Sequence, residues 1–380
     1  MEIEIGRGKN GRRAYGFDDI AIVPSRRTRD PDDIDISWNL GPYRFDLPLV
    51  ASAMDGVVSP DTAVLVNELG GLGVLNLEGI WTRFENAEEQ LEKIAAAPKH
   101  VATKLMQEVY ATPVKQELIG QRIAEIKARG AVACGSLTPQ KVREGYEVAV
   151  EAGIDILVIQ GTVISAEHVS TTVEPLNLKE FIAEVPVPTV VGGCASYSTG
   201  LHLMRTGAVG VLVGVGPGAA CTTRGVLGIG VPQATAIADG GMRTGGDVSK
   251  AIACGADSVM VGSPLARAKE APGRGFHWGM ATFHPSLPRG TRVTTKQDGT
   301  LEEILLGPAQ ENDGTFNLMG ALKTSMATCG YEDIRSFQRA EVMVAPALMS
   351  EGKKLQNEQS VGMGSNGRAA VSAGVAVSDD

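Results

Sequence analysis

Hydrophobic and polar positions repeat along this chain in one recurring unit, in which an amphipathic helix ends at a glycine and a short apolar strand follows. In one copy, residues 141–152 have the apolar spacing of a helix, Gly153 suits the position just after it, and residues 155–159 form an apolar run. The unit recurs with strands predicted at residues 209–213 and 257–261, the latter after a helix with Asp247 as its N-cap. Further strands are predicted at residues 48–51, 73–77, 131–135 and 188–192.

Strands that are apolar at nearly every position and alternate with helices are typical of a parallel sheet covered on both faces. The expected fold is α/β, a (β/α)8 TIM barrel, with an open doubly wound sheet as the alternative. Residues 1–350 are expected to form this single barrel, decorated by helices at about residues 80–130. Residues 351–380 are rich in small and polar residues without periodicity, which predicts a flexible tail.

Composition excludes several classes of protein. Hydrophobic residues make up 43% and charged residues 21% of the 380 positions, which is ordinary for a globular protein. A net charge of −9 and an aromatic content of 4% argue against nucleic acid as the main ligand. The acidic start and the lack of a long apolar run predict a cytoplasmic protein without a membrane segment. Five widely spaced cysteines without a C-x-x-C pair indicate neither a disulfide framework nor a zinc cluster.

A glycine-rich loop that ends in a cysteine directly follows one predicted strand. Residues 214–224 contain three glycines within five positions, followed by Cys221 and Thr223. In a parallel barrel this is the carboxyl-terminal face, where catalytic groups lie. A thiol presented there is a good nucleophile toward an electrophilic ring carbon, and the hydroxyl two residues later is placed to move a proton. The alternative is a plain glycine turn with a core cysteine.

Two further glycine turns indicate a phosphorylated ligand. Asp239, Gly240 and Gly241 precede a predicted helix, and Gly262 and Ser263 follow the last predicted strand. Backbone amides after the final strands of a barrel commonly bind phosphate, and a carboxylate just before them can accept two ribose hydroxyls. Together with the cysteine loop, these turns predict a site for a nucleoside monophosphate.

Six motifs in the same order resemble those of the IMP dehydrogenase/GMP reductase family, across about residues 14–340. They are Ala51-Ser52-Ala53-Met54-Asp55, the loop from Gly214 to Arg224, Gly230-Val231-Pro232-Gln233, Ala238-Asp239-Gly240-Gly241, Val261-Gly262-Ser263 and Trp278-Gly279-Met280. Residues 274–280 and 287–290 are similar to the bacterial subgroup labelled IMP dehydrogenase-related. The resemblance implies a (β/α)8 barrel assembled as a homotetramer or homo-octamer, with NADPH or NAD(H) as cofactor.

The resemblance also implies roles for individual residues. Cys221 would attack C2 of the purine of GMP or IMP and form a covalent thioimidate, and Thr223 would help to move the proton. Asp239 would bind the ribose, and backbone carbonyls of Gly216, Gly218 and Cys221 would hold a monovalent cation such as K+. The remaining nucleotide-contacting positions are Ser52, Met54, Gly241, Gly262, Ser263, Gly279 and Met280.

Departures from the family decide which reaction the resemblance favours. The two CBS regulatory domains of most IMP dehydrogenases are absent, and residues 80–130 take their place. Only residues 281–286 separate the Gly279-Met280 motif from Leu287, and no Arg-Tyr pair occurs there. Since that pair activates the water that turns the intermediate into XMP, its loss favours reduction of GMP with NADPH to IMP and ammonia. Oxidation of IMP to XMP with NAD is the alternative.

Other departures favour a third interpretation, a nucleotide-binding paralogue with impaired catalysis. Ala219 occupies a position where the family usually has a phosphate-binding Ser. Gln160 lies near the position where the family has an Asp that contacts the dinucleotide, and Arg289 lies near the position of a Glu that often assists the Thr. Only residues 234–237 separate two motifs between which the family has a helix and a strand, and a parallel crossover needs about a dozen residues. One βα unit is therefore expected to be shortened at residues 233–239. Either residues 235–239 form its strand and the cysteine loop serves as the crossover, or the barrel is imperfect.

Overall fold

Strands and helices alternate along most of the computed structural model, which describes residues 2–164, 171, 175–235, 240–279, 292–345, 356 and 359. The strands are β1 (Glu2–Gly6), β2 (Lys9–Arg12), β3 (Ile20–Ile22), β4 (Trp38–Leu40), β5 (Tyr43–Phe45), β6 (Leu49–Ala51), β7 (Leu72–Asn76), β8 (Cys134–Leu137), β9 (Ile156–Gln160), β10 (Thr189–Cys194), β11 (Gly210–Val213), β12 (Val259–Val261), β13 (Phe276–His277), β14 (Val293–Thr294) and β15 (Val342–Val344). The helices are α1 (Pro60–Glu68), α2 (Ala87–Ala96), α3 (Lys99–Ala111), α4 (Gln116–Ala128), α5 (Val142–Glu151), α6 (Leu178–Glu184), α7 (Tyr197–Met204), α8 (Thr223–Leu227), α9 (Gly245–Ala253), α10 (Leu301–Leu305), α11 (Leu318–Thr328) and α12 (Ile334–Phe337).

Seven of these strands form one parallel sheet in the order β11-β10-β9-β8-β7-β6-β12. Strands that follow one another in the chain are neighbours from β6 to β11, and β12 returns to pair with β6, with Val259 beside Leu49 and Val261 beside Ala51. Seven parallel strands in this order, with the strand that is last in the chain beside the one that is first, form most of the ring of a (β/α)8 barrel. The barrel expected from the sequence is therefore confirmed, and the doubly wound alternative is wrong.

The ring of described strands has one gap, between β11 and β12, and the shortened βα unit falls there. The side-chain N–H of Gln233 donates to the carbonyl oxygen of Val213 in β11 (3.3 Å), and the backbone N–H of Gly240 donates to that of Met260 in β12 (3.0 Å). The residues on either side of 236–239 thus contact the two strands that border the gap. Of the strand expected at residues 235–239, Thr235 instead ends a short 3-10 helix (Gln233–Thr235), so the strand does not begin there. Residues 236–239 lie outside the described residues, and for them the strand stays a prediction.

Most predicted strands lie within two residues of the observed ones, and the exception has a local cause. The strand predicted at residues 131–135 begins three residues later, as β8. The N–H of Val132 donates to the side chain of Asn67 (3.2 Å), and the N–H of Ala133 donates to the carboxylate of Asp155 (2.8 Å). These side chains take the backbone donors that a strand neighbour would otherwise use.

The glycines predicted to follow the helices are confirmed, whereas the predicted N-cap of α9 is wrong. Gly153 follows α5 at φ 87° and Gly255 follows α9 at φ 113°, in the region that favours glycine. The predicted N-cap Asp247 is wrong, because α9 begins two residues earlier and Thr244 caps it by accepting the N–H of Asp247 (3.2 Å). The Asp247 carboxylate instead accepts the N–H of Arg243 (2.9 Å).

Helices α2, α3 and α4, called the insert below, lie between β7 and β8, where helical decoration is predicted. The insert contacts the hairpin formed by β13 and β14 and the residues beside it. Arg292 donates to the carbonyl oxygens of Ile94 and, at 2.8 Å, of Ala97 at the end of α2. Arg274 forms an ion pair with Glu92 of the same helix at 2.5 Å. The insert and the hairpin are thus joined by charged side chains.

The barrel strands differ in how completely they are covered. Every residue of β6, β7, β8, β9, β10 and β12 is buried, whereas every residue of β11 is only partly buried. Among the described strands, β11 pairs with β10 on one side only. No helix in the described part of the chain has the length and apolar character needed to cross a bilayer.

Candidate active site

A cavity of about 720 Å³ lies at the carboxyl ends of the barrel strands. Its lining includes residues that directly follow β6, β8, β11 and β12, together with the last residue of β9. Active sites of (β/α)8 barrels lie on this face, and the volume is that of an ordinary small-molecule site.

Ten of the site residues predicted from the sequence line this one cavity. They are Ser52, Met54, Gly216, Gly218, Cys221, Thr223, Gly241, Gly262, Ser263 and Gly279. The other two, Asp239 and Met280, lie outside the described residues. Distant parts of the chain therefore meet around one space, while the role of each residue stays a prediction.

The cysteine loop, residues 214–222, is held by backbone hydrogen bonds and leads directly into α8. The N–H of Gly214 donates to the carbonyl oxygen of Cys194 in β10 (2.7 Å), and the N–H of Cys221 donates to that of Gly218 (3.0 Å). Cys221 carries a free, half-buried thiol on the cavity surface. The loop thus presents its thiol to the cavity instead of packing it in the core.

Thr223, the first residue of α8, is fully buried and lines the cavity. Within the described residues its Oγ1 has no hydrogen-bond partner. A buried hydroxyl without a hydrogen-bond partner costs about 1–3 kcal/mol of stability. Binding of a ligand that offers a hydrogen-bond partner to this hydroxyl would therefore be favoured. The hydroxyl is available for proton exchange with a ligand.

Two glutamine side chains add acceptors to the same cavity. Gln160 turns its side-chain nitrogen toward the sulfur of Met260 (3.9 Å), and Gln233 donates to the carbonyl oxygen of Val213 (3.3 Å). Sulfur and carbonyl oxygen are both acceptors, so each amide directs its nitrogen toward them. The two side-chain oxygens are buried and lack a partner in the described part of the chain, which suits a ligand with N–H groups.

Close backbone contacts bring the two predicted phosphate turns to the cavity. Gly241 has φ 79°, and a β-carbon there would lie 2.9 Å from the Cβ of Pro217 in the cysteine loop. A β-carbon on Gly262 would lie 2.5 Å from the sulfur of Met54. Glycine at position 241 allows this turn to lie against the cysteine loop, and glycine at position 262 leaves room for the Met54 side chain.

A buried histidine that the sequence analysis did not select contacts Ser263. The Ser263 hydroxyl lies 2.8 Å from Nε2 of His277, and Nδ1 of the same ring lies 2.8 Å from the Thr295 hydroxyl. Burial lowers the pKa of His277 to about 4, so the ring is neutral near neutral pH. His277 lies two residues before the predicted site residue Gly279. That proximity is the sequence signal that could have identified it as a candidate.

A second network that the sequence analysis missed connects two cavity-lining segments through the insert. The indole N–H of Trp278 donates to the hydroxyl of Tyr110 in α3 (2.7 Å), and that hydroxyl donates to the carboxylate of Asp55. Burial raises the pKa of Asp55 to about 6. Because Asp55 follows Met54 and Trp278 precedes Gly279, Tyr110 fixes both segments relative to the insert.

The predicted cation site would use backbone carbonyls of the cysteine loop. The carbonyl oxygen of Gly218 already accepts the N–H of Cys221 (3.0 Å), which leaves one lone pair for a cation. No group of three or more His, Cys, Asp or Glu side chains that could hold a metal occurs among the described residues. Binding of K+ through Gly216, Gly218 and Cys221 stays a prediction.

The chain is similar to known proteins both in sequence and in fold. Residues 14–354 match the family model described as IMP dehydrogenase / GMP reductase domain. An uncharacterized oxidoreductase of Mycolicibacterium smegmatis is 44% identical over 372 residues, which cover 90% of this chain and 99% of the relative. Inosine-5'-monophosphate dehydrogenase of Cryptosporidium parvum is 31% identical over 288 residues, or 70% of this chain and 71% of the relative. The crystal structure of an IMP dehydrogenase/GMP reductase-like protein from Corynebacterium glutamicum has a TM-score of 0.85 and 42% identity, and the match covers 90% of this chain and 97% of that one.

The fold and the cavity define a (β/α)8-barrel protein whose pocket, at the carboxyl ends of the strands, carries a free thiol and glycine turns. The family model covers most of the chain, and relatives above 30% identity cover more than two thirds of it. The chain belongs to the IMP dehydrogenase/GMP reductase family of oxidoreductases, as its motifs indicated.

Proposed function

We propose that this protein is a purine nucleotide oxidoreductase that converts GMP, NADPH and a proton to IMP, NADP+ and ammonia. The observation that carries the proposal is that Cys221 and Thr223 face the same cavity as the glycine turns at Gly241 and Gly262. A nucleophile, a hydroxyl that can move a proton and backbone N–H donors are what substitution at a purine carbon needs.

Cys221 starts the proposed reaction as a thiolate. Its sulfur adds to C2 of guanine, the bond from C2 to the amino nitrogen breaks, and ammonia leaves with a proton passed on through the Thr223 hydroxyl. A hydride would then be added to C2, which is the chemistry that NADPH would supply when bound. The bond between carbon and sulfur then breaks with its electrons returning to Cys221, and IMP is released. Neither the loss of ammonia nor the hydride transfer requires an activated water molecule.

The direction of the reaction is inferred from the sequence between two motifs. Residues 281–286 are the whole connection from Met280 to Leu287, and they include no Arg-Tyr pair. Without the pair that activates water in the dehydrogenases, water would attack a covalent intermediate slowly. Ammonia release and hydride transfer do not depend on that pair, so the reductase reaction is favoured over the dehydrogenase reaction.

The nucleotide is proposed to lie between the cysteine loop and the turns after β12. Its phosphate would contact the backbone amides at Gly241 and Gly262 and the hydroxyl of Ser263, and its ribose would contact Asp239. The remaining nucleotide contacts are proposed for Ser52, Met54, Gly279 and Met280.

The nicotinamide is proposed to lie at the ends of β8 and β9, where Thr138, Gln160 and Thr162 line the cavity. The buried side-chain oxygen of Gln160, which lacks a partner among the described residues, fits the N–H groups of a carboxamide. The residues present therefore suit this part of the cofactor, although an amide replaces the usual carboxylate. Likeness to the family further supports a cytoplasmic homotetramer or homo-octamer that uses NADPH or NAD(H).

The proposal is tested by incubating the protein with GMP plus NADPH, and separately with IMP plus NAD, while following the absorbance of the reduced nicotinamide. We expect the GMP reaction to be the faster one at neutral pH. Cys221→Ala should lower it on the order of 10⁴-fold or more, because no other group can form the covalent bond. Cys254→Ala is the matched control, since this thiol is also half-buried but lies outside the cavity lining.

Two results would contradict the reductase assignment. Formation of XMP from IMP without reduction of GMP would identify an IMP dehydrogenase. Binding of GMP and IMP without turnover in either direction would favour the nucleotide-binding paralogue, an interpretation that Ala219, Arg289 and the short connection at residues 234–237 support.

A further inference from the structure

Ser263 is the cavity end of a row of three hydrogen-bonding side chains. Its hydroxyl meets Nε2 of His277 at 2.8 Å, and Nδ1 of His277 meets the hydroxyl of Thr295 at 2.8 Å. His277 is 1% exposed, whereas Ser263 lines the cavity. Ser263 follows β12, and the other two residues belong to or border the β13–β14 hairpin, so two separate elements meet in this row.

The number of protons in the row limits how it can be arranged. A neutral imidazole has one N–H donor and one acceptor nitrogen, and a hydroxyl has one proton to donate. When the Thr295 hydroxyl donates to Nδ1, the proton of His277 is on Nε2 and is donated to the Ser263 oxygen. The Ser263 proton is then left to point into the cavity. In the opposite arrangement Ser263 donates to His277, and only its lone pairs face the cavity.

We infer that His277 is a positioning residue that turns the Ser263 hydroxyl into a donor for a ligand phosphate. This inference rests on the proposed function, because it takes the ligand to be a nucleoside monophosphate. A phosphate group offers acceptors only, so it selects the arrangement in which all three donors run from Thr295 toward the cavity. Burial keeps His277 neutral, as the row requires.

His277 and Thr295 should therefore affect phosphate binding through Ser263, although neither would contact the ligand. We expect His277→Leu and Thr295→Val each to weaken binding of GMP about tenfold, while binding of guanosine stays the same. Calorimetric titration with GMP and guanosine measures both affinities. His277→Gln, which keeps one donor and one acceptor, should retain more of the preference for GMP over guanosine than His277→Leu does.

A double-mutant cycle separates this role from a purely structural one. In a Ser263→Ala background, His277→Leu should cause no further change in the ratio of the GMP and guanosine affinities. In addition, ¹⁵N NMR of the His277 ring should show the proton on Nε2 once GMP is bound. Equal losses for GMP and guanosine, an unchanged His277 effect in the Ser263→Ala background, or a proton on Nδ1 would each overturn the inference.

The same measurements distinguish this inference from the proposed function. A protein that shows the expected affinity ratios but does not reduce GMP would retain the His277 role and lose the reductase assignment. A protein that reduces GMP, with affinity ratios unaffected by His277→Leu and Thr295→Val, would retain the assignment and lose the His277 role.

Discussion

The two sides of the barrel that face the cavity differ in how firmly they are built. Four of the proposed nucleotide contacts, Ser52, Met54, Gly262 and Ser263, follow β6 and β12, which are buried at every position. The nucleophile follows β11, which is partly buried throughout. Local opening of a protein requires least free energy where few apolar contacts are broken. The difference indicates that the binding side is held fixed while the cysteine loop is supported by a strand with less packing.

Thiol reactivity should show the largest difference between the two sides. Burial raises the pKa of the Cys134 thiol in β8 far above its ordinary value, while Cys221 lies half-buried at the cavity. Since only an accessible thiolate reacts, and burial both disfavours the thiolate of Cys134 and excludes the reagent, we expect iodoacetamide to modify Cys221 on the order of 10³-fold faster than Cys134. Peptide mass spectrometry over a time course measures both rates.

GMP provides the control for the thiol experiment. It should slow modification of Cys221 and leave the rate at Cys254 unchanged, because Cys254 is half-buried outside the cavity lining. Modification of Cys134 or Cys254 ahead of Cys221, without an effect of GMP, would argue against a presented nucleophile.

A matched pair of core substitutions compares the two sides directly. Leu75 of β7 is 0% exposed, and Leu212 of β11 is partly buried. We expect Leu75→Ala to lower the free energy of unfolding by about 3–5 kcal/mol and Leu212→Ala by no more than about 2 kcal/mol. Urea unfolding of the three proteins measures the difference. Equal losses would show that β11 is packed as well as the rest of the barrel.

Two buried groups on the fixed side should give the stability of the protein opposing dependences on pH. The pKa of Asp55 is raised to about 6, so its contribution is fully present below about pH 4 and is lost as pH rises through 6. The pKa of His277 is lowered to about 4, so its contribution is fully present above about pH 6.5 and is lost as pH falls through 4. Each effect amounts to at most about 3 kcal/mol.

Single substitutions should reveal these two effects by removing one of them. In Asp55→Asn the free energy of unfolding should rise from pH 4 to 6.5, and in His277→Gln it should fall over the same range. Urea unfolding at several pH values measures both slopes, and Leu212→Ala on the other side should keep the pH profile of the unsubstituted protein. If the two variants had slopes of the same sign, the burial of one of these groups would be in doubt.

Local patterns in the sequence predicted what local physics determines. Apolar runs after helix-ending glycines predicted most barrel strands within two residues, because burial on both faces of a parallel sheet requires such runs. The pattern failed where a distant side chain competes for the backbone, as Asn67 does with the N–H of Val132 before β8. It also selected the wrong cap for α9, since Thr244 and Asp247 are both good capping residues.

The candidate site shows the same limit. Motif residues such as Cys221 and Ser263 were selected because they belong to short segments with recognisable spacing, and the barrel brings these segments to one cavity. Their supporting residues were missed because they act across long stretches of chain. Tyr110 and Trp278 are 168 positions apart, and His277 and Thr295 are 18 positions apart, which is further than one short motif extends.

The connection between the insert and the hairpin has a consequence for how such chains can diverge. An exchange of α2–α4 for another domain at the same point would remove the Tyr110 hydroxyl from Trp278, the carboxylate of Glu92 from Arg274 and the α2 carbonyl groups from Arg292. The hairpin that carries His277 would lose three supports in one step. A chimera would therefore need compensating substitutions in the hairpin, so we expect the two segments to have coevolved.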